Sequence, residues 1–203
     1  MQPAFETETH EQQLKLSLTY LIYARCFYGQ VDVIKAMVDT GEATGEVDED
    51  VRHLLHQLRE TPEEELTLQY ENLFFIPGPY YVPPYVSVYL DDEEANGSTV
   101  HQLSGYYARF DFLDYARTTN LRHDHIGTVL MFAHYLIQMQ LEQHEDAEDA
   151  KKMYQILLHE VIRPMYGVFE KKVSDQLVKG FYLDLVQGAH RFLSETSEII
   201  EKD

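Results

Sequence analysis

Residues 120–141 read NLRHDHIGTVLMFAHYLIQMQL, and this stretch decides the fold. Its apolar residues recur three or four positions apart, which is the spacing of one helix face. Other apolar side chains fill the remaining arc, so the predicted helix is apolar on nearly every side, as in helices that are enclosed by others. The face comprises Ile126, Val129, Leu130, Ala133, Leu136, Ile137 and Leu141, and the remaining arc holds Met131, Phe132, Tyr135 and Met139.

The polar residues of this stretch gather at its start. They are Asn120, Arg122, His123, Asp124 and His125. A charged, histidine-bearing first turn on a buried central helix is the first place where we look for function.

The rest of the chain also follows helical spacing, and no stretch alternates as a strand does. We therefore predict an all-α fold, one domain over residues 1–203, with about eight to ten helices around the central one. Residues 1–10 are expected to be flexible, and acidic loops are expected near 39–50, 91–98 and 142–149. The predicted helices cover residues 11–28, 30–38, 51–58, 62–76, 98–115, 148–172 (kinked at Pro164) and 174–200.

Local signals refine two of these boundaries. Thr61, Pro62 and Glu64 have the spacing of a capping box with proline at the first helical position, which predicts a helix start. Pro164 lacks an N–H and should kink or divide the helix that contains it.

The charge of the chain excludes some partners. With 35 acidic and 16 basic residues the formal charge is −19, so a nucleic acid or an anionic membrane is not an expected partner. Two interpretations remain open. The acidic surface serves solubility, including solubility in a salty cytoplasm, or it attracts a basic partner such as an arginine-bearing peptide.

Targeting and redox signals point to the cytoplasm. The start of the chain shows no secretory pattern, and the longest apolar run, Val129 to Ile137, is too short to span a bilayer and contains His134. The single cysteine, Cys26, cannot form an intrachain disulfide and lies on an apolar helix face, which favours a small buried side chain over a nucleophile.

Prolines and aromatic rings crowd the segment 70–90, YENLFFIPGPYYVPPYVSVYL. The prolines predict a rigid extended loop with one short helical turn from Pro84 to Leu90, in which Ser87 is a possible cap. The rings line a groove for an apolar peptide segment, or they are core residues that pin the loop. Packing is the favoured role for Leu73 and Phe74, whereas Tyr70, Tyr80, Tyr81, Pro84, Tyr85 and Ser87 are candidates for binding.

Three stretches together resemble the TorD/DmsD/NarJ-type redox-enzyme maturation chaperones. The segment 70–90 resembles the family's Tyr-x-x-Leu-Phe and Pro-Tyr-x-Ser-x-Tyr signature, Asp124-His125-Ile126 its Asp-His-Ile segment, and residues 161–193 its closing helices. The chain departs from the family pattern where Leu121 and Arg122 replace a Glu-Pro pair and where Val129 replaces a later Glu. Tryptophan is absent as well.

The resemblance implies a cytoplasmic chaperone rather than an enzyme, with no cofactor of its own. Its partner would be the catalytic subunit of a molybdenum-cofactor oxidoreductase, recognised through a twin-arginine signal peptide or the N-terminal remnant of one. Binding would delay export until the cofactor is inserted. Family resemblance leaves a monomer and a homodimer equally open.

Within this hypothesis Asp124 is the leading candidate residue. One interpretation is that its carboxylate is stabilised by the positive end of the helix dipole. The other is that the carboxylate faces a groove and pairs bidentately with a guanidinium of the signal peptide. His125 either donates to a peptide carbonyl, with pH sensitivity, or is a hydrogen-bonded packing residue.

Two other functions compete with the chaperone hypothesis. A helical metal-binding bundle or metalloenzyme is suggested by ten histidines, with His53 and His56 three positions apart, although a solvated helix face explains that pair better. A general helical adaptor would bind other amphipathic peptides as readily as signal peptides. No metal site is predicted.

Overall fold

A computed structural model of the protein describes residues 4–39, 47–91 and 97–200, where the chain forms eleven α-helices and no β-strand. The helices are α1 (Ala4–Phe27), α2 (Val31–Asp39), α3 (Glu49–Glu60), α4 (Glu63–Tyr70), α5 (Ser87–Leu90), α6 (Ser98–Arg109), α7 (Leu113–Thr118), α8 (Ile126–Leu141), α9 (Ala147–Ile156), α10 (Arg163–Gln176) and α11 (Phe181–Ile200). Two π-helical turns, Glu71–Phe75 after α4 and Leu157–Ile162 between α9 and α10, lengthen these helices. The predicted single all-α domain is confirmed.

Helix α8 is the centre of the bundle, as its all-round apolar character predicts. Every residue from Ile126 to Ala133 is buried. Helix α1 packs antiparallel along it, because Ser17 lies beside His134 and Tyr28 beside Thr128. Gly127 permits this close approach, since a Cβ at that position would lie 2.9 Å from the Tyr28 ring and 3.0 Å from the Ala24 carbonyl oxygen.

A cluster of rings joins α1, the first π turn, α10 and α11. Phe74 lies 5.9 Å from Phe27, 6.0 Å from Phe169 and 5.6 Å from Tyr182, centroid to centroid. Leu73 and Phe74 are each 2 % exposed, so the packing role predicted for them is confirmed. Edge-to-face and tilted ring pairs of this kind add to the free energy of burial. The cluster fixes the end of α4, from which the proline-rich loop departs.

Three helix boundaries differ from the prediction. The central helix begins at Ile126, so Asn120–His125 precede it. The predicted helix 98–115 divides into α6 and α7, because Asp111 adopts a φ of 55°, which an α-helix does not allow. The last helix begins at Phe181, after Gly180 with a φ of 126°.

The predicted capping box at Thr61 is wrong. Thr61 is the C-cap of α3, where its N–H donates to the Gln57 carbonyl oxygen, and α4 begins after Pro62 without a side-chain cap. Pro164 lies in the first turn of α10, directly after the π turn Leu157–Ile162, so the hydrogen-bond spacing of the long segment changes next to the predicted position.

Parts of the expected loops and of the expected flexible end lie outside the described residues, namely 1–3, 40–46 and 92–96. Helix α1 begins at Ala4, inside the end expected to be flexible, and α9 begins at Ala147, which shortens the third expected loop. No helix in the described part of the chain is long and apolar enough to cross a membrane.

Candidate functional site

The proline-rich loop is paired with the segment that leads into α8. The Val86 N–H donates to the Asp124 carbonyl oxygen at 2.9 Å, and the Ile126 N–H donates to the Pro84 carbonyl oxygen at 2.9 Å. These bonds form an antiparallel bridge between Tyr85 and His125. Extended backbone before and at the prolines favours such pairing. Two of the three stretches that carry the family resemblance are therefore in direct contact.

Asp124 lies inside this junction and not in a groove, because its side chain is 0 % exposed. Its Oδ2 accepts from the Ser87 N–H at 3.1 Å and from Arg122 Nη2 at 3.0 Å. Its Oδ1 is buried and has no hydrogen-bond partner. Asp124 is thus paired with a guanidinium of the same chain through one nitrogen, and the predicted bidentate pair with a signal peptide stays a prediction.

Ser87 contributes to the same junction through both its backbone and its hydroxyl. The hydroxyl accepts from Arg122 Nη2 at 2.8 Å. It does not cap the short helix α5, whose N-cap is Val86 with no side-chain cap. That possible role of Ser87 is therefore wrong.

Arg122 completes the arrangement from the solvent side. Its guanidinium carbon lies 4.7 Å from the centre of the Tyr85 ring, a cation–π distance, and its side chain is 32 % exposed. We call the three groups around this guanidinium, Asp124, Ser87 and Tyr85, the guanidinium cage. The sequence analysis identified the three cage residues but assigned no role to Arg122.

His125 is buried and acts as the N-cap of α8. Its Nδ1 accepts from the Gly127 N–H at 3.1 Å, and its ring stacks on Tyr28 at 5.8 Å and meets Tyr85 edge-on at 5.5 Å. Loss of hydration on burial lowers the pKa of His125 to about 3, so the imidazole is neutral at physiological pH. Because Nδ1 accepts, the proton of the neutral ring is on Nε2.

Tyr70, Tyr81 and Tyr85 gather at the outer side of the cage, and each is half-buried. Burial and the neighbouring Tyr85 raise the pKa of Tyr70 to about 12. Burial raises the pKa of Tyr81 as well, Tyr85 adds to the rise, and Arg122 opposes it. The structure thus brings three of the predicted tyrosines together, whereas Tyr80 stands apart and is 58 % exposed.

A second surface lies on α4 and just after its π turn, and sequence reasoning missed most of it. Leu68, Phe75, Ile76 and Tyr80 are 49–63 % exposed. Glu63, Glu64 and Glu71 line one shallow depression together with Leu68. We call these seven residues the α4 surface. A usable signal is the run Leu73 to Ile76, because four consecutive apolar residues cannot all face one side of a helix.

A family model described as the nitrate reductase delta subunit matches residues 41–171, more than half of the 203-residue chain. The chain belongs to this family. The match confirms the resemblance to TorD/DmsD/NarJ-type chaperones. No curated protein and no solved structure matched the chain.

The nitrate reductase delta subunit family is a family of molybdoenzyme maturation chaperones, whose members bind molybdoenzyme subunits and are not catalysts. The matched range contains the guanidinium cage and the α4 surface. It omits α1, α2 and α11, although Ala24 of α1 and Tyr28, which follows α1, contribute to the surroundings of α8.

The residues considered for a metal or a nucleophile have other surroundings. Among the described residues no group of three histidine, cysteine, aspartate or glutamate side chains could hold a metal ion. His53 contacts Gln57 and lies 3.7 Å from Asp184 on the surface. Cys26 is fully buried, and burial raises the pKa of its thiol, which opposes formation of a reactive thiolate.

Proposed function

We propose that this protein is a cytoplasmic chaperone for the catalytic subunit of a molybdenum-cofactor oxidoreductase. It binds the subunit's twin-arginine signal peptide, or the N-terminal remnant of one, and delays export until the cofactor is inserted. Membership of the family supports the chaperone role and the class of client. The signal-peptide specificity rests on the chemistry of the surface described next.

The α4 surface is the observation that carries this proposal. It combines four exposed apolar side chains with three carboxylates, which line one depression with Leu68, on a chain of net charge −19. A twin-arginine signal peptide has the complementary chemistry, since basic residues precede an apolar segment. Burial of the apolar segment supplies affinity, and the carboxylates supply orientation and faster association.

The candidate binding residues divide into two roles in this proposal. Tyr80 extends the α4 surface, and the half-buried Tyr70, Tyr81 and Tyr85 continue it towards the cage, so these four tyrosines contact the peptide. The buried members Pro84, Ser87, Asp124 and His125 hold the loop in place. Exposed or half-exposed rings on a rigid loop suit peptide binding, because little conformational entropy is lost on association.

The first test is titration calorimetry with a twin-arginine signal peptide from a molybdoenzyme of the same organism. Wild-type protein should bind it in the micromolar range or more tightly. Phe75→Ser and Tyr80→Ser should each weaken binding about tenfold, as for anchors of an interface. Leu14→Ser is the matched control, because Leu14 is a 45 % exposed apolar residue far along α1. Absence of binding to the wild-type protein would contradict the proposed function.

The second test addresses the charges of the α4 surface. Glu64→Gln and Glu71→Gln should each weaken binding several-fold, and the loss should shrink as salt is added, since exposed charges are screened. Glu145→Gln, an exposed carboxylate in the loop after α8, is the control. If none of the variants of the α4 surface changed the affinity for the peptide, the proposed function would stand and the peptide would bind to another surface.

A further inference from the structure

Arg122 leaves part of the hydrogen-bonding capacity of the guanidinium cage unused. A single nitrogen, Nη2, donates both to Asp124 Oδ2 at 3.0 Å and to Ser87 Oγ at 2.8 Å. Asp124 Oδ1 and Arg122 Nε are both buried without a hydrogen-bond partner. Buried polar atoms are rarely left in this state, so each requires an explanation. The carboxylate retains an acceptor that a two-pronged guanidinium would use.

We infer that the cage is a guanidinium-binding site whose resident occupant, Arg122, is exchanged for an arginine of the incoming peptide. The identity of the incoming arginine rests on the proposed function, whereas the affinity of the cage for a guanidinium does not. A bidentate arginine would satisfy both oxygens of Asp124 and stack on Tyr85, which Arg122 covers at 4.7 Å.

The position of Arg122 in the chain permits this exchange. It lies between α7 and α8, outside any helix, and follows Asn120, whose φ is 53°. Its side chain is 32 % exposed, so it reaches solvent without passing through the core. Asp124, by contrast, is anchored by the backbone of Ser87 and by the bridge to the loop. The resident arginine moves and the cage stays in place.

The exchange gives Arg122 a role in specificity. When a peptide arginine displaces Arg122, the free energy of binding includes only the difference between the interactions of the two arginines with the cage. A peptide without a suitable arginine therefore does not displace Arg122. Removal of Arg122 should therefore raise the affinity for the peptide, because the competitor is absent.

The first experiment tests the cage without a peptide. Arg122→Ala should melt at a lower temperature than the wild type, and millimolar methylguanidinium should recover part of this loss. Methylammonium at the same concentration should recover less, because it lacks the planar fork. Arg122→Ala/Asp124→Asn is the matched control and should not respond to methylguanidinium. Equal responses of the single and double variants would overturn the inference.

The second experiment tests the exchange by calorimetry with the twin-arginine peptide. Arg122→Ala should bind it about tenfold more tightly than the wild type, and the gain should disappear when the peptide arginines are replaced by lysine. Arg122→Lys gives a smaller gain and keeps a positive charge on Asp124, which serves if the alanine variant does not fold. Weaker or unchanged binding by both variants would overturn the exchange.

The two experiments separate this inference from the proposed function. Recovery by methylguanidinium without binding of the peptide by any variant would overturn both the proposed function and the exchange, and would leave only the cage. Peptide binding without recovery would retain the proposed function and overturn the inference.

Discussion

The start of α8 and the α4 surface differ in burial, although the sequence analysis took binding candidates from both, Asp124 and His125 from the first and Tyr80 from the second. Asp124 and His125 are 0 % and 1 % exposed, whereas Phe75 and Tyr80 are 63 % and 58 % exposed. The first region joins a loop to the central helix through hydrogen bonds. The second region, the α4 surface, presents exposed side chains that do not join two elements in this way. The motifs that carry the family resemblance therefore include two kinds of residue. Buried residues hold the binding surface in position, and exposed residues belong to the surface itself.

This difference separates the expected consequences of mutation. Substitutions at the start of α8 should change the free energy of unfolding, and they affect binding through the position of the loop and, at Asp124, through the guanidinium cage. Substitutions on the α4 surface should change binding and leave stability nearly constant. The four predictions that follow test this separation.

Asp124→Ala should have the largest effect on stability. It removes the acceptor of the buried Ser87 N–H, which costs about 1–3 kcal/mol, and the lost hydrogen bond from Arg122 to the carboxylate adds to this. Urea unfolding followed by circular dichroism measures the change. Asp124→Asn, which keeps one acceptor, should lose less. A loss below about 1 kcal/mol for the alanine variant would mean that Asp124 does not hold the junction.

The fold was largely predictable because it depends on periodicity. Each predicted helical segment overlaps at least one helix of the structure, and α8 is buried as its apolar arc predicts. The errors lie at boundaries, where single backbone conformations decide. The left-handed Asp111 that separates α6 from α7 has no apolar pattern to reveal it. The role of Thr61 as a C-cap likewise depends on where α3 ends.

His125 should make stability depend on pH. The pKa of His125 is lowered from 6.5 to about 3 in the folded protein. At a pH between these two values the imidazole is therefore protonated in the unfolded chain and neutral in the folded protein. Stability contributed by His125 is therefore complete above pH 6.5 and decreases as the pH falls towards 3. Between pH 7 and pH 5 the loss should be about 2 kcal/mol.

Urea unfolding of the wild type and of His125→Asn at both pH values measures this contribution. Asparagine also accepts at an N-cap position but does not titrate in this range. The variant should therefore lose less stability than the wild type between pH 7 and pH 5. Parallel losses in both proteins would show that His125 is solvated in the native state, against the burial described here.

The residues of the candidate site could be predicted from the sequence, but the role of each residue could not. Asp124, His125, Ser87 and Tyr85 were identified from motif residues, yet sequence does not state which side chain a carboxylate faces. Arg122 stands two residues from Asp124, and only the turn between them brings its guanidinium to the carboxylate. Phe75 is exposed beside the buried Phe74 because consecutive side chains of a helix point about 100° apart.

Gly127→Ala should have an intermediate effect. The added methyl group meets the Tyr28 ring at 2.9 Å and the Ala24 carbonyl oxygen at 3.0 Å, and overpacking of this kind costs about 1–3 kcal/mol. Gly105→Ala is the matched control in α6, because nothing lies within 4 Å of its added methyl group. The control should gain up to about 1 kcal/mol from higher helix propensity. Thermal unfolding of both variants compares them, and equal changes would contradict the close approach of α1 and α8.

The smallest effect on stability is expected on the α4 surface. Phe75→Ser and Ile76→Ser remove side chains that are 63 % and 49 % exposed, so each should change the free energy of unfolding by less than about 1 kcal/mol. Phe74→Ser provides the contrast one residue away, because Phe74 is 2 % exposed within the ring cluster and its loss should cost more than about 3 kcal/mol. Urea unfolding of the three variants compares them. If Phe75→Ser were as destabilising as Phe74→Ser, its ring would belong to the core, and the α4 surface would lose the exposed anchor on which peptide binding is argued.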